Sequence, residues 1–257
     1  FNANYGGLPK NVWLHVTDKL YQTLPLYSNM KTTGVYIYAK DIQVKSRKAI
    51  IHAESEVKNE YKKALTVGYE VEVVDLDGKS VATFKSEPTV IAKGETATLS
   101  AEAPLSDLHF WSWGYGYLYK VKTRLIVDGD VMDEVVTRTG FRKTRFGEGK
   151  VWINDRVLQF KGYAQRTSNE WPGVGLSVPA WMSDYSNGLA VEGNANFFRW
   201  MHISAWKQDI ESCDRVGAMQ MLPAGDAEKD RQGRQWEQRT ELMRDVIIYN
   251  RNNPSVI

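Results

Sequence analysis

Residues 196–221, NANFFRWMHISAWKQDIESCDRVGAM, hold a strand, a helix and a second strand with almost no chain to spare between them. Phe197, Phe198, Trp200 and Met201 form an apolar run of strand length, interrupted by one cation, Arg199, and closed by His202. Such a run suits a buried parallel strand whose tip carries polar groups. The spacing predicts a helix over 205–215, with Trp206, Ile210 and Cys213 on one face and Gly217 as its stop. A second apolar run, 218–222, follows at once. Two strands joined through a helix lie parallel, so this stretch requires a parallel sheet with helices packed over it.

The first half of the chain reads differently. Residues 35–44, 49–57, 69–75, 80–85, 96–101, 117–127 and 131–137 are seven short strand candidates with no helical period among them. Asp77-Gly78 and Asp128-Gly129 stand where hairpin turns belong. That pattern predicts an immunoglobulin-like β-sandwich over 28–140. Residues 11–16, NVWLHV, also alternate in the manner of a strand. Beyond residue 141 the sequence predicts a hairpin around Asn154-Asp155, an apolar strand over 157–160, a long polar and aromatic loop over 163–179 and a short helix over 180–192. After the opening stretch comes a long helix over 227–250 with an apolar stripe, broken by Asn253-Pro254, and 255–257 resembles the start of another strand.

Charge narrows the function classes. Lys plus Arg number 33 and Asp plus Glu 31, a balance that argues against a nucleic-acid or anionic-membrane partner. No apolar run reaches about 18 residues, the length a spanning helix needs. Residues 1–16 lack the basic and apolar regions of a signal peptide. One cysteine, Cys213, allows no internal disulfide and no multi-cysteine metal site. No nucleotide cradle, zinc spacing or EF-hand loop is present, so no cofactor is expected. Nine tryptophans and thirteen tyrosines offer aromatic faces that can fill cores or stack on sugars.

Four segments resemble glycoside hydrolase family 2, the β-galactosidase and β-glucuronidase group. They are Gly6-Gly7-Leu8 through Asp18; Trp111-Ser112 with Tyr117-Leu118-Tyr119 and Gly140-Phe141-Arg142; Asn196, Arg199 and His202 followed by Cys213-Asp214 and Gly217; and Arg251 to Ile257. The resemblance implies a multidomain β plus α/β chain: 1–27 the tail of an N-terminal jelly-roll sugar-binding domain, 28–140 the immunoglobulin-like sandwich, and 141–257 the first part of a (β/α)8 TIM barrel. It implies a retaining exo-β-glycosidase, with β-galactosidase the first expectation and β-glucuronidase or β-mannosidase of the same family the alternative. A non-catalytic carbohydrate-binding or interaction module is the reading from another class. Departures from the family pattern, such as Ile203-Ser204 after His202 where Tyr-Pro is usual, bear on which sugar is taken.

The resemblance implies that both catalytic glutamates lie beyond Ile257, so the chain alone is expected to be inactive. Within it the expected substrate-binding residues are Arg199, His202, Asn196, Tyr163, Trp171 and Asp226. Each has a structural alternative. Arg199 must be paired or face a polar tip; Asp226 would equally cap the long helix; Tyr163 and Trp171 either wall a pocket or pack within their loop. Trp111, Trp113, Tyr115, Tyr117 and Tyr119, every second residue, would share one face of an extended chain and pack the sandwich or its junction with the barrel. The expected partner is a carbohydrate, with a homodimer through the exposed, unclosed barrel. The compartment stays open, a periplasmic or secreted location being compatible with the resemblance.

Overall fold

A computed structural model describes residues 11–26, 31–165, 178–201, 204–223 and 232–257. Two antiparallel sheets face each other across one core. The first contains β1 (Leu20–Gln22), β2 (Val35–Gln43), β3 (Lys48–Asn59) and β7 (Thr96–Leu105), in which β3 pairs with the other three. The second contains β4 (Leu65–Val74), β5 (Ser80–Lys85), β6 (Thr89–Ile91), β8 (Tyr119–Val127) and β9 (Asp130–Thr139), in the order β5-β4-β8-β9 with β6 on β4. Alternation makes these strands: Ile51, Ala53 and Val57 of β3 point inward against Val67, Val71 and Val73 of β4 and Val121 and Leu125 of β8. The β8–β9 turn has Asp128 at φ 52° and Gly129 at φ 94°, the paired left-handed residues of a type I′ hairpin.

A small antiparallel sheet follows, β10 (Thr144–Gly147), β11 (Lys150–Ile153) and β12 (Arg156–Leu158). The chain then changes hand of construction. Strands β13 (Gly162–Gln165), β14 (Phe197–Trp200) and β15 (Met219–Met221) pair parallel in that order. Helix α1 (Ala180–Glu192) links the first pair and α2 (Lys207–Val216) the second. Gly217, at φ 74°, ends α2 in the left-handed conformation, and its N–H donates to the Cys213 carbonyl. Helix α3 (Arg234–Asn250) comes next, and Val256 bridges parallel to Gln220 beside β15. Phe198, Trp200, Ile210, Cys213 and Ala218 form the core between this sheet and its helices, and burial raises the Cys213 thiol well above its ordinary pKa.

Several boundaries differ from expectation for identifiable reasons. Residues 11–16 form no strand; Trp13 and Leu14 are 75% and 89% exposed, because the sheet edge nearest in sequence is taken up by β1 on β3. The predicted strand over 157–160 is β12, which folds straight back on β11 because Asn154 and Asp155 both take positive φ. The first parallel strand is therefore β13, so Tyr163 lies in a strand and not in the loop after one. The long helix begins at Arg234, with Gly233 at its N-cap position; Asp226, expected as its cap, lies outside the described residues. Residues 111–119 are not one extended strand: Ser112 and Tyr115 bridge across a tight turn, which buries Trp111 and Tyr119 and leaves Tyr115 exposed.

One short segment holds the two halves together. Asn252 accepts from the Ile37 N–H at 2.9 Å and donates to the Val35 carbonyl at 2.8 Å, while Arg251 donates to the Thr33 carbonyl. Arg142 donates to the carbonyls of Pro254 and Val256. Asn253 and Ser255 donate to the Asp214 carboxylate of α2. The indole of Trp111 donates to the Asp214 carbonyl at 2.8 Å.

Candidate functional site

Strand register decides which side chains of the parallel sheet can meet. Tyr163 lies beside Phe198, and Ala164 beside Arg199, which lies beside Met221. Side chains of adjacent parallel strands in register point the same way, so Ala164, Arg199 and Met221 share one face and Tyr163 and Phe198 the other. The second face is the one the helices cover. Tyr163 stands edge-on to the Phe198 ring at 5.4 Å, and burial raises its phenol pKa.

The face that carries Arg199 is divided along its length. At the start of the strands Phe197 and Met219 pack with Trp111, Leu118, Ile153 and Leu158, so the β10–β12 sheet and the 111–118 loop close that end. At the finish, Ala164, Arg199 and Met221 are exposed. Arg199 is the cation that the apolar strand could not bury, and it has no hydrogen-bond partner among the described residues. An open guanidinium of this kind can donate a planar pair of hydrogen bonds to a carboxylate or to vicinal hydroxyls.

Asn196 stands at the opposite end. Its Nδ2 donates to the Gln159 carbonyl and its Oδ1 accepts from the Lys161 N–H, clamping the entry to β13. The structure therefore separates the three described residues expected to bind substrate: Arg199 on the open face, Tyr163 on the helical face, Asn196 at the closed end. Trp171, His202 and Asp226 lie outside the described residues; in sequence they follow the ends of β13, β14 and β15.

Three aspartates of this half are already engaged. Asp209, buried, accepts from the Ser183 hydroxyl at 2.7 Å. Asp214, buried, accepts from Asn253 and Ser255, and burial pushes its pKa up to about 6. Asp184 takes a fork from Arg215 through Nε and Nη2. Lys207 reaches Asn253 and the Tyr249 carbonyl, and burial lowers its pKa. Among the described residues no cluster of three or more His, Cys, Asp or Glu could hold a metal ion, and no helix is long and apolar enough to cross a membrane.

A polar relay went unnoticed in the sequence. Gln165 donates to Asn187, which donates to Ser212, all buried between β13, α1 and α2. Gln220 accepts from the Trp200 indole at 2.7 Å and donates to the Ile210 carbonyl. The available signal was Gln220 itself, a polar residue in the run AMQML, since a buried amide must find partners.

Known proteins resemble this geometry over the whole chain. Residues 35–142 match the sequence profile of the glycosyl hydrolases family 2. The chain is 32% identical over 257 residues to a β-glucuronidase of Formosa agariphila, spanning 26% of that protein. It is 23% identical over 260 aligned positions to a β-galactosidase of Thermoanaerobacter pseudethanolicus, spanning 32% of it. A solved β-glucuronidase from glycoside hydrolase family 2 superposes with TM-score 0.86 at 30% identity, covering 94% of this chain and 25% of that one. The Bacteroides uniformis β-glucuronidase superposes at 0.79 with 22% identity, a likeness of fold, over 93% of this chain and 28% of that one. The chain thus spans about a quarter to a third of these relatives. With a profile match over residues 35–142, 32% identity to a β-glucuronidase and 30% identity to a solved family-2 enzyme over 94% of the chain's own length, the chain belongs to glycoside hydrolase family 2.

Proposed function

We propose that the protein containing this chain is a retaining exo-β-glycosidase that removes terminal β-linked sugars from oligo- or polysaccharides, with β-glucuronides ahead of β-galactosides. The observation that carries the reading is the 32% identity to a β-glucuronidase across all 257 residues. The exposed Arg199, at the carboxyl end of a parallel strand, supports it, because a guanidinium there could meet a uronate carboxylate. The β-galactosidase relative, at 23% identity, supports the second reading.

In this proposal residues 28–140 are an immunoglobulin-like sandwich, 141–257 the opening strands of a (β/α)8 barrel, and 1–27 the tail of a jelly roll. Parallel strands alternating with helices, and Val256 joining beside Gln220, support the barrel. Retaining hydrolysis requires two carboxyl groups about 5–5.5 Å apart, one nucleophile and one acid that later acts as base. Asp184, Asp209 and Asp214 are tied to structural partners, which supports assigning that pair to residues outside those described. Exposed Trp181, Tyr185 and Leu189 on α1 support self-association of the isolated chain, to be read by light scattering.

The test is a panel of 4-nitrophenyl β-glycosides. The longer protein should turn over the glucuronide with kcat/KM at least about tenfold above the galactoside and mannoside, and the 257-residue chain should show no turnover. Preference for the galactoside selects the second reading; acid-dependent turnover by the chain alone overturns the assignment of the carboxylates.

A further inference from the structure

A groove of about 630 Å³ lies where the 44–47 turn, the 107–116 loop and the β11–β12 turn converge, and it takes no part in the chemistry above. Its lining includes Lys45, Arg47, His109, Tyr115 and Arg156, with Asp155 as the acid among them. Asp155 is neutralised by Lys143 at 2.7 Å, so the groove is cationic.

Two of the cations, Arg47 and Arg156, are held in place. Arg47 donates from Nε to the Leu108 carbonyl and from Nη2 to the Asp107 carbonyl, and Nη2 also lies 3.1 Å from His109 Nε2; none of these partners is a carboxylate, so its charge is left unbalanced. Arg156 donates to the Ser112 hydroxyl at 2.8 Å and lies 4.3 Å over the Trp113 ring, again without a carboxylate. Tyr115, 45% exposed, is fixed through a 2.8 Å hydrogen bond between its hydroxyl and His109 Nδ1. His109 in turn stacks on Tyr117 at 4.4 Å. The loop beneath them is anchored, since the Gly114 N–H donates to the Gly217 carbonyl.

We propose that this groove is a binding site for an acidic saccharide, the Tyr115 ring receiving a sugar C–H face while Lys45, Arg47 and Arg156 meet a uronate carboxylate. The volume suits one or two sugar rings and is too small for a helix or a nucleic-acid duplex. Guanidinium forks match a carboxylate geometrically, and a fixed aromatic face costs little entropy to use. The choice of sugar as ligand rests on the glycosidase reading; binding itself is measured without turnover, so the two can fail separately.

Calorimetric titration of the full chain with cellobiouronic acid, cellobiose and cellobiose monosulfate tests it. The uronate should bind at least about tenfold tighter than the neutral sugar. Lys45→Glu and Arg156→Gln, at exposed positions, should each weaken it about tenfold, while Lys120→Glu, at an exposed position outside the groove lining, should leave it unchanged. Equal binding of cellobiose, absence of binding at millimolar uronate, indifference to both groove variants, loss with Lys120→Glu, or preference for the sulfate each overturns the proposal. Unchanged circular dichroism of the variants excludes misfolding as the cause of a loss.

Discussion

Gly116→Ala and Gly188→Ala make the same chemical change, and the structure assigns them opposite signs. A Cβ at Gly116 would stand 2.1 Å from the Arg215 carbonyl oxygen and 2.7 Å from that of Asp214, both backbone atoms at the end of α2. Neither can swing aside, so the 112–117 loop must retreat by roughly 1 Å in a close-packed junction. Overpacking of this kind costs about 1–3 kcal/mol. The retreat also stretches the Trp111 indole bond to Asp214 and the Gly114 bond to Gly217, both 2.8 Å, each worth about 1 kcal/mol. The expected loss is about 3–5 kcal/mol. A Cβ at Gly188, inside α1, meets nothing within 4 Å at an ordinary φ, so alanine should gain about 0.8–1 kcal/mol from helix propensity alone. Urea unfolding followed by tryptophan fluorescence measures both. A Gly116→Ala protein within 0.5 kcal/mol (roughly the ordinary surface range) of the parent would refute the packing argument, as would a destabilised Gly188→Ala.

Two further outcomes follow from Asp214 and Arg199. The Asp214 carboxyl titrates near 6 in the folded chain against an ordinary 3.8, because burial disfavours its charge. The folded state therefore binds more protons between those values. This group's contribution rises as pH falls from about 6 towards 4 and is lost above 6, by up to about 3 kcal/mol. Asp214→Asn should flatten that part of the urea-midpoint profile, and parallel profiles would contradict the assignment. Arg199→Ala should change stability by less than about 0.5 kcal/mol because the side chain is exposed. In the longer protein it should lower kcat/KM on the glucuronide by at least about tenfold; undiminished turnover would remove Arg199 from the site.

The strands of the two-sheet half were legible because each buries one face and so alternates in sequence, as in Ile51, Ala53 and Val57. The βαβ unit was legible because Phe198 and Trp200 sit nine and seven residues before the helix start at Lys207 and Gly217 marks its end. Thr89–Ile91 passed unnoticed because three residues carry no period. Residues 11–16 misled for the converse reason: alternation reports a capacity to pair, and the edge nearest in sequence is taken by β1. Register could not be read at all. That Tyr163 and Arg199 face opposite sides follows from which residue stands opposite Phe198, a relation between strands more than thirty positions apart. The engagement of Asp214 was hidden likewise, since its partners lie 39 and 41 residues away.

Asn252 has a consequence for anyone who cuts this chain. Strand β2 has β3 on one side only, and on its other side the Ile37 N–H and the Val35 carbonyl are taken by one asparagine side chain that mimics a neighbouring strand. Excising the sandwich at residue 140 would strip that mimic away. A bare strand edge, here freed at Val35 and Ile37, is a template for another copy of itself. The Asn252 amide thus acts as a side-chain stopper on a sheet edge more than 200 positions earlier in the chain.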